Sequence, residues 1–200
     1  MDDEVRRAYD AYAPRYDRET GWYERVMLGD GRAWACSQAR GVTLEVGVGT
    51  GRNLEHYPSS VRLIGLDLST GMLARARARL PHPSSALVAG DAHHLPLRPG
   101  SVDTVVCTLT LSSVPDLHLT LREIRRVLDH GGRLVSLGHV ASPHRPVLAL
   151  QRALDRVAAT RAPDEQARDT TAALRTADFE VLYRRTTRWG IIERLTAAPL

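Results

Sequence analysis

The sequence predicts an α/β fold: a doubly wound, mostly parallel seven-stranded sheet with helices on both faces and an antiparallel edge strand. Short apolar segments alternate with amphipathic helical segments along most of the 200 residues. The apolar segment 42–46 runs into three glycines at alternate positions, Gly47, Gly49 and Gly51, which is typical of a buried strand that enters a tight turn. Two apolar segments close together near the C-terminus predict an antiparallel pair at one edge of the sheet.

The N-terminal forty residues are predicted to be helical. A first helix spans residues 2–13; Asp2 or Asp3 caps it and Pro14 ends it. A second helical stretch, 22–39, is interrupted by two glycines. We therefore expect an N-terminal helical region ahead of the sheet.

Strands and helices then alternate to the C-terminus. Ser69 and Asp116 stand where helix N-caps are expected, and Pro81, Pro83 and the Gly-Gly pair 131–132 stand where helices are expected to end. The predicted strands are 42–46, 61–66, 86–89, 102–109, 133–137, 179–187 and 191–196; the predicted helices are 52–57, 70–80, 117–128 and 147–177, the last broken near Pro163.

Composition excludes several classes of function. The chain has a net charge of +4 and no lysine, so a P-loop lysine, a Schiff-base lysine and a Tyr-x-x-x-Lys dehydrogenase pair are all excluded. The arginines are scattered rather than clustered, so we expect no nucleic-acid partner. Cys36 and Cys107 are far apart, so neither a metal site nor a disulfide scaffold is expected.

The chain shows no sign of a targeting or membrane-spanning segment. Its first residues are acidic, unlike a signal peptide. No apolar run reaches the roughly 20 residues that a membrane helix needs. We therefore expect a cytoplasmic protein without a transmembrane segment, as a monomer or a homodimer.

An acidic residue at the end of the second strand indicates the class of ligand. Asp67 follows Gly47 by twenty residues, and a carboxylate at this position suits the two hydroxyls of a ribose. A dinucleotide fingerprint would place its third glycine at position 52, which is Arg52. The pattern favours a ligand that contains a nucleoside and leaves an NAD(P)-dependent oxidoreductase as the weaker alternative.

Four motifs together resemble the class I S-adenosylmethionine-dependent methyltransferases, over about residues 9–140. His130 stands where the family usually has proline, a small departure that keeps the Gly-Gly turn. Segments 9–17 and 137–140 are similar to a subgroup that methylates phospholipids, quinones and small thiols. The four motifs are Glu45-Val-Gly-Val-Gly-Thr-Gly51, the segments 65–73 and 90–97, and strand 101–107 with the helix and turn 119–132.

This resemblance implies a Rossmann-like methyltransferase fold, with S-adenosyl-L-methionine as cofactor and S-adenosyl-L-homocysteine as product. It divides a single domain into a helical lid (1–40), a cofactor-binding core (42–138) and substrate-side helices with the terminal strands (139–200). The cofactor-binding residues that it implies are Tyr16, Glu45, Gly47, Gly49, Gly51, Asn53, Asp67, Leu68, Met72, Asp91, Ala92, Cys107, Thr108 and Leu109, with Tyr9 as a further lid residue.

The resemblance also implies which part of the bound cofactor these residues contact. Glu45 and the glycine turn hold the amino-acid end, where a carboxylate meets an ammonium group. Asp67 binds the ribose, Leu68 and Met72 flank the adenine, and Asp91 with Ala92 meets its amino edge. Residues 107–109 lie beside the sulfonium, and Tyr16 closes the lid.

Purely structural roles remain open for several of these residues. Glu45 could be buried against an arginine, and Met72 could be a core residue of a helix. Asp67 could simply precede a helix cap, and Tyr16 could pack the first helices on the sheet. Cys107 could be a small buried apolar side chain.

The sequence gives the least information about the methyl acceptor. We expect a small-molecule or lipid-like acceptor, with His139, just past the fifth strand, as the candidate general base; a structural histidine is the alternative. His93 and His94 are expected to contact solvent or the adenine edge. Segment 108–113 replaces the Asn/Asp-Pro-Pro-Tyr/Phe motif of enzymes that methylate nucleic-acid bases. A non-catalytic S-adenosylmethionine-binding protein is the alternative function.

Overall fold

The structure, a computed structural model, describes residues 2–80, 85–158 and 168–200. Strands and helices alternate through most of this part of the chain. The strands are β1 (Val42–Val46), β2 (Arg62–Asp67), β3 (Ala86–Ala89), β4 (Val102–Thr108), β5 (Leu128–His139), β6 (Phe179–Thr187) and β7 (Ile192–Pro199). The helices are α1 (Asp2–Tyr12), α2 (Tyr16–Leu28), α3 (Gly31–Ser37), α4 (Thr70–Arg77), α5 (Leu117–Val127), α6 (Arg145–Ala158) and α7 (Thr170–Thr176).

The strands form one sheet in the order β3-β2-β1-β4-β5-β7-β6, which confirms the predicted fold class. Strand β1 pairs in parallel with β2 on one side and with β4 on the other. The strand order reverses between β1 and β4, and ligands of open α/β sheets bind at the carboxyl ends of the strands at such a point. Strand β7 runs antiparallel to both β5 and β6, so the antiparallel strand lies one position in from the edge.

Alternate residues of the central strands face two separate apolar cores. Leu44, Val105 and Leu134 pack with α5 and α7 on one face of the sheet. Val106 and Val135 pack with α3 and α4 on the other. This two-residue alternation decides which strand residues can reach which helical layer.

The helix boundaries near the N-terminus differ from the prediction. Helix α2 begins at Tyr16, six residues earlier than expected, and ends at Leu28. Two acidic residues in its first turn favour this early start, because carboxylates are stabilised at a helix N-terminus. Gly29 then takes a φ of 54° and separates α2 from the short helix α3.

The junction between α5 and β5 also differs from the prediction. Helix α5 ends at Val127, before the Gly-Gly pair 131–132, and β5 begins at Leu128 instead of residue 133. The reason is strand pairing: Leu128 pairs with Val102, and the register then shifts before Thr104 pairs with Arg133. The glycines therefore lie inside the strand at this irregularity.

Two smaller differences concern helices. Segment 52–57 contains a single 3₁₀ turn at Leu54–His56, and α4 ends at Arg77 rather than at residue 80. Pro81 and Pro83, where a helix was predicted to end, lie outside the described residues, and so does the predicted helix break at Pro163. Within the described ranges no helix is both long and apolar enough to cross a membrane.

Candidate functional site

A cleft opens at the carboxyl ends of β1, β2 and β4, beneath α1 and the start of α2. Its empty space is about 770 Å³ with the open mouth included. Eleven residues expected from the sequence line it, counting Tyr9: Tyr9, Tyr16, Gly47, Gly49, Asp67, Leu68, Met72, Asp91, Ala92, Thr108 and Leu109.

The first two glycines of the turn have different surroundings. A Cβ on Gly47 would lie 2.4 Å from the Thr110 hydroxyl, whereas a Cβ on Gly49 would meet no atom within 4 Å. Both residues have a positive φ, 71° and 56°, which favours glycine. Gly47 therefore lets the chain pack against the segment that follows β4, while Gly49 keeps space open at the cleft wall.

Asp67 joins the glycine turn to the start of α4. Its Oδ2 accepts a hydrogen bond from the Gly49 amide (2.7 Å), and its Oδ1 accepts one from the Ser69 amide (2.9 Å). Burial raises the pKa of Asp67, although both amide hydrogen bonds act in the opposite direction. Each carboxylate oxygen keeps a lone pair for a ligand hydroxyl.

The opposite wall is held by His93, which is buried rather than exposed to solvent. Its Nδ1 lies 3.1 Å from Oδ1 of Asp91, and its Nε2 accepts a hydrogen bond from the Asp116 amide at 3.2 Å. Because Nε2 is an acceptor, we assign the ring proton to Nδ1, which donates to Asp91. The exposed His94 makes no comparable link, so the two histidines have different surroundings.

The end of β4 carries a strained residue. Leu109 has a φ of 58°, a left-handed conformation that costs an L-residue about 1–2 kcal/mol. Its amide donates to the Leu137 carbonyl at 2.7 Å, and the Thr110 hydroxyl donates to the Val46 carbonyl at 3.0 Å. These bonds fix the backbone where the cleft meets the strand end.

Helix α1 covers the cleft and is attached to α4. Oδ1 of Asp10 accepts hydrogen bonds from the Ser69 hydroxyl (2.6 Å) and the Gly71 amide (2.9 Å). The Ser69 hydrogen bond is the main reason why the pKa of Asp10 is lowered. Val5 and Tyr9 of the same helix line the cleft, so Asp10 holds them in place.

Helix α2 is attached to the residues that follow the glycine turn. Asp17 accepts from the Thr50 hydroxyl (2.7 Å) and from Arg79 (2.8 Å). The buried carboxylate of Glu24 pairs with Arg52 at 2.9 Å and also with Arg32. These contacts hold Tyr16, at the start of α2, over the cleft, where burial raises its pKa.

A buried polar network lies behind the cleft wall. Asn53 donates to Oε1 of Glu45 (2.8 Å) and to the Thr108 hydroxyl (2.9 Å), and its own oxygen accepts from Arg32 (2.7 Å). Glu45 is only 1% exposed, and this burial raises its pKa to about 7. Thr108 is the member of the network that reaches the cleft.

Five predicted site residues do not line this cleft: Glu45, Gly51, Asn53, Cys107 and His139. Gly51 packs closely against Leu54 and Ala76. Cys107 lies in the apolar core that also contains Val105 and Leu134, and burial raises the pKa of its thiol. Strand alternation separates Cys107 from its neighbour Thr108 in this way.

His139 lies beside a second, smaller cavity. This cavity is also lined by Leu111, Ser112 and Glu193. Nε2 of His139 lies 3.0 Å from the hydroxyl of Tyr23 on α2. Segment 109–114 separates the two cavities, because its residues line one cavity or the other.

Comparison with known proteins agrees with this arrangement. The methyltransferase domain family matches residues 44–136. The chain is 38% identical over 120 residues to phosphatidylethanolamine N-methyltransferase of Cereibacter sphaeroides, covering 58% of this chain and 59% of that one. It is 34% identical over 163 residues to demethylmenaquinone methyltransferase of Thermobifida fusca, covering 76% of this chain and 66% of that one. The chain thus spans about 50–66% of the length of the curated relatives it matches.

The chain belongs to the class I S-adenosylmethionine-dependent methyltransferases. A methyltransferase structure from Thermotoga maritima superposes on 98% of this chain and all of its own length, with a TM-score of 0.74 and 22% identity. That likeness shows the methyltransferase fold, including the sheet and its two helical layers.

The cleft fits the cofactor of this methyltransferase family. The open space at Gly49 allows a ligand to approach the backbone, and Asp67 presents acceptor oxygens beside it. Leu68 and Met72 provide apolar surface for a planar base. Within the described residues, no group of three or more histidine, cysteine or acidic side chains could hold a metal ion.

Three contacts around the candidate site were missed by sequence reasoning. They are the attachment of Asp10 to α4, the Tyr23–His139 pair and the link from His93 to Asp116. Nothing in the sequence around His93 indicated that this histidine is buried and hydrogen-bonded. Asp10 follows Tyr9 directly, so the lid motif itself was the signal that could have drawn attention to it.

Proposed function

We propose that the protein transfers a methyl group from S-adenosylmethionine to a small-molecule or lipid-like acceptor and releases S-adenosylhomocysteine. One observation carries the proposal: Gly49 leaves an open space beside the Asp67 carboxylate, at the point where the strand order reverses. A nucleoside ligand needs both features, an approachable backbone and a carboxylate for its ribose.

The donor is assigned to the cleft in one orientation. The oxygens of Asp67 accept from the ribose hydroxyls, and Leu68 and Met72 flank the adenine. Asp91, held by His93, accepts from the adenine amino group, and its neighbour Ala92 covers the ring edge. These assignments rest on the positions of the side chains around the cleft.

The methionine end of the donor is assigned to the side of the cleft formed by the glycine turn and the end of β4. Thr108 is a polar side chain there, and Asn53 fixes its hydroxyl. Glu45 acts through Asn53 rather than by direct contact, since the carboxylate is buried behind the wall. Glu45 and Asn53 are therefore positioning residues in this proposal.

The sulfonium of the donor supplies an already activated methyl group. The protein must align an acceptor lone pair with that carbon and exclude water, and alignment can contribute about 7–11 kcal/mol. Tyr16 and α1 close the cleft from above. The strained Leu109 fixes the strand end at the place where the acceptor arrives.

The Tyr23–His139 pair is proposed to accept the proton of the acceptor. Tyr23 is 36% exposed as a residue, and the proton of its hydroxyl can pass to Nε2 of His139. The oxygen of Tyr23 then takes the proton that the acceptor loses. Such general base assistance is worth about 10²–10⁴-fold where the acceptor must be deprotonated.

A lipid-like acceptor is favoured by the relatives, which are named for phosphatidylethanolamine and demethylmenaquinone. Both are amphiphilic molecules with a polar reacting group on an apolar body. The acceptor of this protein is therefore proposed as an amphiphile of this kind.

The donor is tested by titration calorimetry with S-adenosylmethionine and with NAD(P). We expect binding of the former alone, and tighter binding of the nicotinamide cofactor would overturn the proposal. Transfer is tested with methyl-labelled donor and three acceptors: an aminophospholipid, a quinol and a small thiol. Label should appear in an amphiphile. Donor binding without label in any acceptor would support a non-catalytic binding protein.

The proton-accepting pair is tested with His139→Ala and Tyr23→Phe. Both variants should bind the donor normally and turn over at least tenfold more slowly, and the pH dependence of kcat should be altered in both. Unchanged turnover in both variants would leave His139 a structural residue.

A further inference from the structure

The outer face of α2 and the adjoining turn expose large apolar side chains. Trp22 is 73% exposed and Trp189 is 70% exposed, and Val26 is 44% exposed. Tryptophan normally buries most of its surface, so two such residues on one side of the molecule indicate a binding surface. This surface is named here the tryptophan face.

The tryptophan face is continuous across two elements. Trp22 and Val26 are four residues apart, so they lie on the same side of α2. The turn that carries Trp189 rests against the end of α2, because Arg188 donates to the Met27 carbonyl at 3.4 Å. On its other side the Trp189 carbonyl accepts from the Ser142 hydroxyl at 2.7 Å. Trp189 therefore sits beside the C-terminal end of α2.

The charges around the tryptophan face are mostly positive. Arg15, Arg18, Arg25 and Arg188 are exposed around it. Two acidic residues there are also exposed, Glu19 and Asp30, and Asp30 is paired with Arg194. Arg15 and Arg18 approach Glu19 only at 3.9 and 4.0 Å. The arginine side chains therefore leave a net positive surface around the tryptophans.

We propose that the tryptophan face docks on the surface of an anionic lipid bilayer. Tryptophan side chains prefer the membrane–water interface, where an apolar ring and a polar N–H group are both accommodated. Each arginine near an anionic surface adds to the electrostatic attraction. A helix with apolar residues flanked by arginine lies in the plane of such an interface. The charge complementarity selects an anionic surface over a neutral one.

Docking there would place the acceptor side of the protein next to the lipid. Tyr23 directly follows Trp22, and its hydroxyl contacts His139. This consequence rests on the proposed function, whereas the docking itself does not. The two are tested by different measurements, vesicle binding for docking and donor binding for function.

The test measures binding of the full chain to vesicles of phosphatidylcholine with about one third phosphatidylglycerol, and to phosphatidylcholine alone, by sedimentation and tryptophan emission. We expect binding and a blue shift with the anionic vesicles, at least tenfold weaker binding to neutral ones, and weakening by added salt. Equal binding to both vesicles would overturn the proposal.

Two variants and two matched controls identify the surface. The double variant Trp22→Ala, Trp189→Ala and the single variant Arg18→Gln should lower vesicle affinity, the first at least tenfold and the second by about threefold to fivefold. Leu182→Ala, exposed on the edge strand, and Arg122→Gln, exposed on α5 on the other side of the sheet, should leave it unchanged.

Donor binding of every variant, measured by calorimetry, shows whether it is folded. Normal donor binding with no vesicle binding by the unmodified chain would overturn docking alone. If the chain binds no vesicles but self-associates, and the tryptophan substitutions abolish that self-association, the tryptophan face is a protein interface and the docking proposal is also overturned. Absence of donor binding with vesicle binding intact would instead refute the proposed function.

Discussion

Replacing Gly49 by alanine separates the backbone cost of the glycine turn from the cost of filling the cleft. Gly49 has a φ of 56°, and an alanine pays about 1–2 kcal/mol for this left-handed conformation. Its Cβ would meet no protein atom within 4 Å, so no clash adds to that energy. For a chain of this size, the expected fall in Tm is roughly 2–8 °C.

The same methyl group would occupy space that we assign to the donor. Gly49→Ala should therefore weaken S-adenosylmethionine binding at least tenfold, or about 1.4 kcal/mol. Gly100→Ala is the matched control, because Gly100 has a φ of 61° and its nearest atom to an added Cβ, on Asp129, is 3.9 Å away. Gly100 lies before β4, at the opposite end of that strand from the cleft. This control should lose similar stability and keep its donor affinity.

The assay pairs thermal unfolding without ligand with titration calorimetry below the Tm of the least stable variant. The reasoning requires the two variants to agree in Tm and to differ in donor affinity. If Gly49→Ala binds the donor as tightly as Gly100→Ala does, the donor does not lie against the glycine turn. If Gly49→Ala is far less stable than Gly100→Ala, the turn is more tightly packed than the structure shows.

Three further predictions concern carboxylates around the cleft. The folded-state pKa of Glu45, about 7, exceeds its ordinary value of 4.5, so the folded state binds the proton more tightly and the free energy of unfolding should fall as pH rises from about 4.5 to 7. Glu45→Gln keeps the acceptor for Asn53 and should remove this part of the pH dependence, measured by denaturant unfolding at several pH values. Asp10→Ala removes an acceptor of two hydrogen bonds at the start of α4 and should lower the free energy of unfolding by about 1–3 kcal/mol in urea; a loss below the error of the assay would mean that α1 is held by other contacts. Asp67→Ala should weaken donor binding at least tenfold by calorimetry, and unchanged affinity would remove it from the ribose site.

Local patterns were sufficient to predict the part of the site that lies on a single turn or strand end. The glycine turn and Asp67 follow apolar strands in the sequence, and the order of parallel strands brings their ends to one edge of the sheet. The fold class followed from the same alternation of apolar segments and helices. These features depend on short stretches of sequence, so they can be predicted without the structure.

Two predicted residues, Glu45 and Cys107, are absent from the cleft wall because their side chains are buried. Glu45 precedes the turn and points into the buried layer behind it, where Asn53 binds it. Cys107 and Thr108 are adjacent, so their side chains face opposite sides of the sheet, and only Thr108 lines the cleft. The two-residue period predicts that these two side chains face opposite sides of the sheet. It does not by itself select Thr108, because Val46, which pairs with Cys107, also lines the cleft.

Contacts between distant segments could not be predicted in the same way. Tyr23 and His139 are 116 residues apart, and Asp10 and Ser69 are 59 residues apart. Each pair depends on how the N-terminal helices lie on the sheet. Nothing in the local sequence around Tyr23 specifies this packing.

The two lid helices differ in how strongly they are attached. Glu24 of α2 is buried with two arginines, and breaking a buried ion pair by removing a partner typically costs about 3–5 kcal/mol. Asp17 adds bonds to Thr50 and Arg79 near the exposed rim. Helix α2 is therefore firmly fixed to the residues around the glycine turn.

Helix α1 has a weaker attachment. Asp10 links it to α4 with hydrogen bonds to Ser69 and Gly71, and the ring of Tyr12 contacts that of Tyr16 on α2. The ion pairs of Arg6 lie within the helix and are solvent-accessible. Since the donor must enter and its product must leave, we expect α1 rather than α2 to open. Asp10→Ala should then speed release of S-adenosylhomocysteine in stopped-flow measurements, whereas substitution of Arg15, exposed at the start of α2, should not.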